Sequence, residues 1–104
     1  MPRSTSTTET GLSYLAARSP RLHFVYIVRC ADGSFYTGYA RDPKARLKLH
    51  NAGLGAKYTR GRRPVKLVYS EACRTLSKAL KREYELKQWP RAEKRKLVRA
   101  RPVT

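Results

Sequence analysis

Two short runs of β-branched and aromatic residues, Phe24-Val25-Tyr26-Ile27-Val28 and Phe35-Tyr36-Thr37-Gly38-Tyr39, stand on either side of Asp32-Gly33. That spacing predicts a β-hairpin over 23–40. Register decides which side chains share a face. A two-residue turn at Asp32-Gly33 puts Tyr26 and Tyr36 on opposite faces. A three-residue loop, Ala31-Asp32-Gly33, with Gly33 in the left-handed position of a bulge, sets Tyr26 opposite Gly38 and Val28 opposite Tyr36. Both tyrosines then share one face, and Val25, Ile27, Phe35, Thr37 and Tyr39 form the other. The second register is preferred because it leaves one strongly apolar face for a core. It also places Gly38, which has no side chain, across from Tyr26. That leaves room for a ligand or another backbone beside the tyrosine ring.

Further along, the period changes. Asp42 reads as an N-cap and Pro43 as a first helical position, with Asn51 and Gly53 ending a helix over 42–51. Arg46 and His50 are four apart and share a face of it. Residues 52–64, with three glycines and four cations, read as a loop. Residues 65–72 read as a third strand. Thr75 caps a helix over 76–88, and Pro90 opens a final basic helix to about Val98. On a helical wheel Leu76, Ala79, Leu80 and Leu86 define the apolar stripe of the 76–88 helix. Glu83 falls in the middle of that stripe and Glu85 on the opposite side. A carboxylate on a buried stripe must be paired or hold a metal. Lys87, one turn on, is the partner in the first case.

The order strand-strand-helix-strand-helix-helix predicts an α+β domain, a small three-stranded antiparallel sheet flanked by helices. Residues 22–98 form this domain. Residues 1–21, rich in Ser, Thr and Arg, read as a disordered or weakly ordered tail, and 99–104 as a basic tail that frays.

Composition then narrows the function. The chain carries 24 Lys and Arg against 7 Asp and Glu, a net charge of +17 over 104 residues. So large an excess repels itself in the compact state and calls for an anionic partner. Nucleic acid comes first, because neutralising phosphates releases condensed counterions. An anionic membrane surface is second, and a ribosomal-type basic protein is the plainest reading. No apolar run approaches the ~18 residues of a membrane span. Cys30 and Cys73 form no CxxC pair, and two cysteines with two histidines make no zinc pattern. They read as free thiols in a reducing, cytoplasmic setting.

Taken singly, every candidate has an ordinary explanation. The tyrosines can pack and donate one hydrogen bond each, and Tyr39, Tyr58 and Tyr69 are read that way. Arg46 and His50 can be solvated surface residues, and Glu83 can sit in an ion pair. Taken together they resemble the GIY-YIG nuclease domain. Its first motif, Gly-Ile-Tyr, appears as Phe24-Val25-Tyr26, and its second, Tyr-Ile-Gly, as Tyr36-Thr37-Gly38. Tyr26 and Tyr36 are ten apart, as the family's hairpin requires. The family's helical Arg, with a His one turn later in several members, matches Arg46 and His50. Its metal-binding Glu matches Glu83, in Ala79-Leu80-Lys81-Arg82-Glu83. The run from Gly55 to Val65 resembles the small single-domain branch. The departures are Phe24-Val25 for Gly-Ile, Thr37 for Ile, and no clear match for the Asn that some members place after the Glu.

The resemblance covers Leu22 to about Val98. It implies a metal-dependent endonuclease hydrolysing phosphodiester bonds, in DNA rather than RNA, with weak sequence preference and a place in DNA repair or recombination. Tyr26 would be the general base, helped by His50, while Tyr36 orients water or phosphate. Arg46 would stabilise phosphate charge, and Glu83 would hold Mg²⁺ or Mn²⁺. Lys57, Arg60, Arg62, Arg63 and Lys87, extended by Lys81 and Arg91, would track the nucleic-acid backbone. Gly33 and Gly38 are structural. A protein partner would supply substrate specificity. The alternative is a non-catalytic nucleic-acid-binding module that keeps the fold, for which the cations alone suffice.

Overall fold

A computed structural model describes residues 22–101. The expected tail over 1–21 lies outside the described residues, as do residues 102–104. Strand β1 (His23–Arg29) pairs antiparallel with β2 (Phe35–Ala40), with Tyr26 opposite Gly38 and Val28 opposite Tyr36. The turn dictates this register. Cys30 and Ser34 close it through a 2.8 Å backbone hydrogen bond, and Gly33 sits at φ +86°. Glycine alone takes that conformation without steric cost. Asp32 Oδ1 accepts from the Ser34 backbone N–H and hydroxyl, at 3.0 and 2.6 Å. Strand β3 (Lys66–Cys73) pairs antiparallel with the other edge of β1, giving the order β2-β1-β3.

Four helices among the described residues complete the α+β fold. Helix α1 (Pro43–Asn51) is capped by Asp42, whose side chain accepts from the Ala45 N–H at 3.2 Å. Helix α2 is a single turn, Lys57–Arg60. It lies inside the stretch expected to be a plain loop. Four residues between glycines are too few for a helical pattern to be read. Helix α3 (Leu76–Gln88) is capped by Thr75, which accepts from the Lys78 N–H at 3.1 Å. Helix α4 (Arg91–Ala100) runs past the expected stop at Val98, so Arg99 and Ala100 end the helix. No helix among the described residues is long and apolar enough to cross a membrane. Cys30 and Cys73 are free thiols.

The expectation of a single apolar sheet face is corrected. With β1 in the centre, both faces are covered. Val25, Ile27 and Tyr69 pack under α3 and α4, against Ala79, Leu86, Trp89 and Leu97. Tyr26, Val28 and Ala40 pack on the other face with Leu47 of α1 and with Val65. The α3 stripe is corrected as well. Ala79 and Leu86 are fully buried, but Leu76 and Leu80 are 47% and 45% exposed. The helix turns Arg82 inward, where its Nε bonds Glu71 at 3.0 Å and the guanidinium lies 5.3 Å from the Trp89 ring. This half-buried ion pair rotates the buried direction away from Leu76 and Leu80.

Thr37 is 2% exposed on the α3 side, and its hydroxyl finds no hydrogen-bond partner among the described residues. A buried unpaired hydroxyl loses its hydration with no return. Thr37→Val keeps the shape and removes the hydroxyl. It is expected to stabilise the fold by about 1 kcal/mol, read as a higher urea midpoint. A lower midpoint would show the hydroxyl to be paired.

Candidate active site

The site grows from β1. Strand alternation aims Tyr26 at the α1 face, where its ring lies flat over Gly38 of β2. A Cβ on Gly38 would come within 2.5 Å of the Tyr26 hydroxyl oxygen. The space expected there for a ligand is therefore filled by the tyrosine itself. Glycine is needed so that the ring can lie down on the neighbouring strand.

The ring extends to α1. The Tyr26 hydroxyl is 2.8 Å from His50 Nε2, and both residues are 1% exposed. On the far side of the imidazole, Nδ1 is 2.8 Å from Thr59 Oγ1. Thr59 donates its own proton to the Ala56 carbonyl at 2.9 Å. Its lone pairs then face the imidazole, so the network assigns the proton to Nδ1 and leaves Nε2 to accept from Tyr26. The Ala56 N–H also points at Nδ1, but at 3.4 Å it is too long to reverse this. Gly55 lies flat against the imidazole, and a Cβ there would collide with it. Two glycines, Gly38 and Gly55, thus bracket the Tyr26–His50 pair.

Charge is arranged around this pair. Arg46, one turn before His50 on α1, donates to the Tyr39 carbonyl at 3.4 Å, and its charge acts on the Tyr26 hydroxyl. Burial nonetheless pushes the Tyr26 hydroxyl up to about 12, with Tyr36 and Glu83 adding to the rise and Arg46 opposing it. Cationic neighbours do not bring this phenol toward neutrality, because desolvation outweighs them. Burial, then Arg46, pushes the His50 imidazole below its usual value. At neutral pH the resting pair is a neutral phenol donating to a neutral imidazole.

A stability prediction follows from His50. Its folded value lies below the ordinary imidazole value of about 6.5. As pH falls through that range, the unfolded chain takes up a proton that the folded chain resists. Stability is therefore full above about 6.5 and falls toward the lower folded value. Urea unfolding of the wild type should weaken between about pH 7.5 and about pH 5 more than that of His50→Gln, which cannot titrate. Parallel losses in the two proteins would contradict this.

The other candidates divide. Tyr36 is half-buried, with its ring centroid 5.4 Å from His50 and stacked at 5.8 Å on Tyr58. Tyr58, read as a packing residue, is 39% exposed and forms the outer wall of the site under the Arg62 guanidinium, 3.9 Å from its ring centroid. Tyr39 and Tyr69 are packing residues with one bond each, to His23 Nδ1 at 2.7 Å and to Glu71 at 2.5 Å. Arg62 also bonds Asp32 at 3.1 Å and the Tyr58 carbonyl at 2.7 Å, tying α2 to the hairpin turn. Arg63 donates to the carbonyls of Arg60 and Asn51. Both arginines are engaged by the chain itself. Lys57 and Arg60 are exposed on α2. Arg91, expected beside them, lies on the opposite face of the sheet, bonded to the Gly33 carbonyl at 2.9 Å.

Glu83 is half-buried on α3, and Lys87 Nζ lies 3.2 Å from its carboxylate. Its charge reaches the Tyr26 hydroxyl from across the sheet edge. Among the described residues no three His, Cys, Asp or Glu side chains gather as a metal cluster. A lone, partly exposed carboxylate suits a hard cation that keeps most of its waters. Lys87, at 46% side-chain exposure, holds that place beside the carboxylate.

Thr59 and Gly55 contact His50 without any site role predicted for them, and Tyr58, read as packing, stacks on Tyr36. The one signal was the Tyr58-Thr59 pair set between Gly55 and Gly61 in a stretch otherwise made of small and basic residues.

The GIY-YIG catalytic domain matches residues 22–96. A UPF0213 protein of Staphylococcus aureus is 61% identical over 79 residues, covering 76% of this chain and 96% of that protein. Among solved structures, the chain is similar to the UPF0213 protein BH0048 of Bacillus halodurans. The TM-score is 0.52 at 47% identity, over 78% of this chain and 86% of that one. It is also similar to the protein EF2693 of E. faecalis, with a TM-score of 0.54 at 39% identity, over 79% of this chain and 88% of that one.

Proposed function

The chain belongs to the GIY-YIG nuclease family, and we propose that it is a divalent-metal-dependent endonuclease hydrolysing phosphodiester bonds in DNA. The observation that carries this reading is the buried 2.8 Å hydrogen bond between the Tyr26 hydroxyl and His50 Nε2, with Arg46 beside it. What goes beyond a packing tyrosine's single bond is that this imidazole is itself buried, is held in one tautomer by Thr59 and has Arg46 one turn away on the same helix.

In this reading Tyr26 takes a proton from the attacking water as its own hydroxyl proton passes to His50 Nε2. The water oxygen bonds to phosphorus and the bond to the 3′-oxygen breaks. Thr59 holds His50 in the tautomer that can accept. Arg46 stabilises the charge that builds on the non-bridging oxygens, through its forked donors. Tyr36, held between His50 and Tyr58, orients the water or the phosphate. Glu83 would hold Mg²⁺ or Mn²⁺, which supplies charge neutralisation at the scissile phosphate and the leaving oxygen. Lys57 and Arg60 contact the strand backbone, which positions it without reading sequence. Residues 22–98 are the catalytic unit. Selectivity then comes from substrate structure, such as the branched, nicked or damaged DNA of repair and recombination, or from a partner protein. The free thiols suit a reducing, cytoplasmic compartment.

The test incubates the protein with supercoiled, branched and single-stranded DNA, and with RNA, in Mg²⁺, Mn²⁺ or chelator, beside Glu83→Ala. Cleavage of DNA is expected with either metal, and is expected to be lost in chelator and in the variant. Cleavage that survives in either defeats the reading. Binding with no cleavage under any condition marks the chain as a nucleic-acid-binding module instead.

A further inference from the structure

Helix α4 repeats arginine once per turn, at Arg91, Arg95 and Arg99. The row borders a cleft of about 290 Å³ on the α3 side of the sheet, and Arg29 from the end of β1 closes the ring. The floor is apolar, made by Phe35, Val68 and Val98. Like charges one turn apart weaken a helix. A bound anion would offset that repulsion. The ordinary remedy, an interleaved acid, is missing from the lining. None of the ion pairs among the described residues includes any of these four arginines. Asp32, the acid of the adjacent turn, is taken by Arg62. Glu93, the acid of α4, pairs with Lys96 away from the row. Arg91 is held in place by its 2.9 Å bond to the Gly33 carbonyl.

We propose that this cleft is a second phosphate-backbone site, on the face of the sheet opposite the Tyr26–His50 pair, which grips a second segment of the bound nucleic acid. Arginine forks suit phosphate oxygens, and their stems can lie along the apolar floor. The row from Arg91 to Arg99 runs about 12 Å along the helix. That is too long for one phosphate and suits consecutive phosphates of a strand. Phe35 and Tyr36 are neighbours pointing to opposite faces, so one strand of the sheet serves both sites. A branched substrate can offer a backbone segment to each. Once the first is held, the second binds as an intramolecular step. This rests on the nucleic-acid part of the reading above, but not on its cleavage chemistry.

The test is a titration of the ¹⁵N-labelled full chain in chelator with a short duplex and with a four-way junction. Amide shifts of Gly33, Phe35, Arg95 and Val98 report the cleft, and those of Tyr36, Gly38, His50 and Thr59 report the other site. Both sets are expected to move. In parallel, the doubly substituted Arg95→Ala, Arg99→Ala chain should bind with a salt slope smaller by about 1.8 and lose its preference for the junction. If only the Tyr26–His50 set moves and the slope is unchanged, the cleft is no site, while the nuclease reading stands. If only the cleft set moves, the cleft proposal holds and the Tyr26–His50 site loses its nucleic acid. If neither set moves, both fail.

Discussion

Tyr26→Phe is expected to lower the cleavage rate by roughly 10²–10⁴-fold, the usual worth of a positioned general base. Nucleic-acid affinity should stay near wild type. The size of the effect follows from what the hydroxyl does and what the ring does. The ring fills the space over Gly38, and phenylalanine fills it equally. The hydroxyl alone bonds His50 and feels the charge of Arg46. Burial pushes it up to about 12, so at neutral pH it is a phenol that keeps its proton. It therefore acts as a relay and not as a resting phenolate: it hands its proton to the neutral imidazole as it takes one from water, and His50 is where the proton ends. The same burial that raises Tyr26 keeps His50 neutral and able to accept. The substitution strands His50 Nε2 in a buried site, at a cost of about 1–3 kcal/mol, so the melting temperature should drop while the fold persists. Single-turnover cleavage, measured beside thermal melts and binding, separates these effects. A Phe variant that cuts at the wild-type rate removes Tyr26 from the mechanism.

How far the sequence carried this site depended on the distance over which each feature is decided. The hairpin register was readable because a local cause sets it. Only a bulge with Gly33 at positive φ puts both tyrosines on one face, and Gly33 has that φ. The caps at Asp42 and Thr75 were readable for the same reason. The inward direction of α3 was not. A helical wheel gives every apolar residue equal weight, and nothing local says that Arg82 will turn in to meet Glu71, a partner on a different element. Glu83 kept a half-buried place because it centres the stripe read from the wheel and still flanks the buried direction set by Ala79 and Leu86. The pKa of Tyr26 was also out of reach. Its sign rests on whether both sheet faces are covered, and the helix covering the tyrosine face lies beyond the hairpin. Thr59 and Gly55 gain their meaning only from contact with His50. No periodicity marks a residue whose role is to hold another residue's proton in place or to stay out of its way.

Gly38→Ala puts the whole arrangement to the strictest trial, because it adds one methyl group and removes nothing. It should abolish detectable cleavage and destabilise the fold by about 1–3 kcal/mol, the range for overpacking. The added carbon would sit 2.5 Å from the Tyr26 hydroxyl oxygen and 2.7 Å from the ring carbon bearing it. Real side chains do not approach so closely, so something must move. The backbone of β2 is held on either side of Gly38 by its pairing with β1, Ile27 to Thr37 and Val25 to Tyr39. The ring is the part that yields. Lifting it breaks the 2.8 Å bond to His50 and carries the hydroxyl away from Arg46. The loss should therefore match or exceed that of Tyr26→Phe, though every proposed catalytic side chain is still present. The double variant Tyr26→Phe with Gly38→Ala should show no further loss of activity, since both act on the same hydroxyl. Its stability should recover in part, because the hydroxyl that clashed is gone. If Gly38→Ala cleaves DNA normally, the tyrosine does not need to lie against β2, and the geometry behind the proton transfer is wrong.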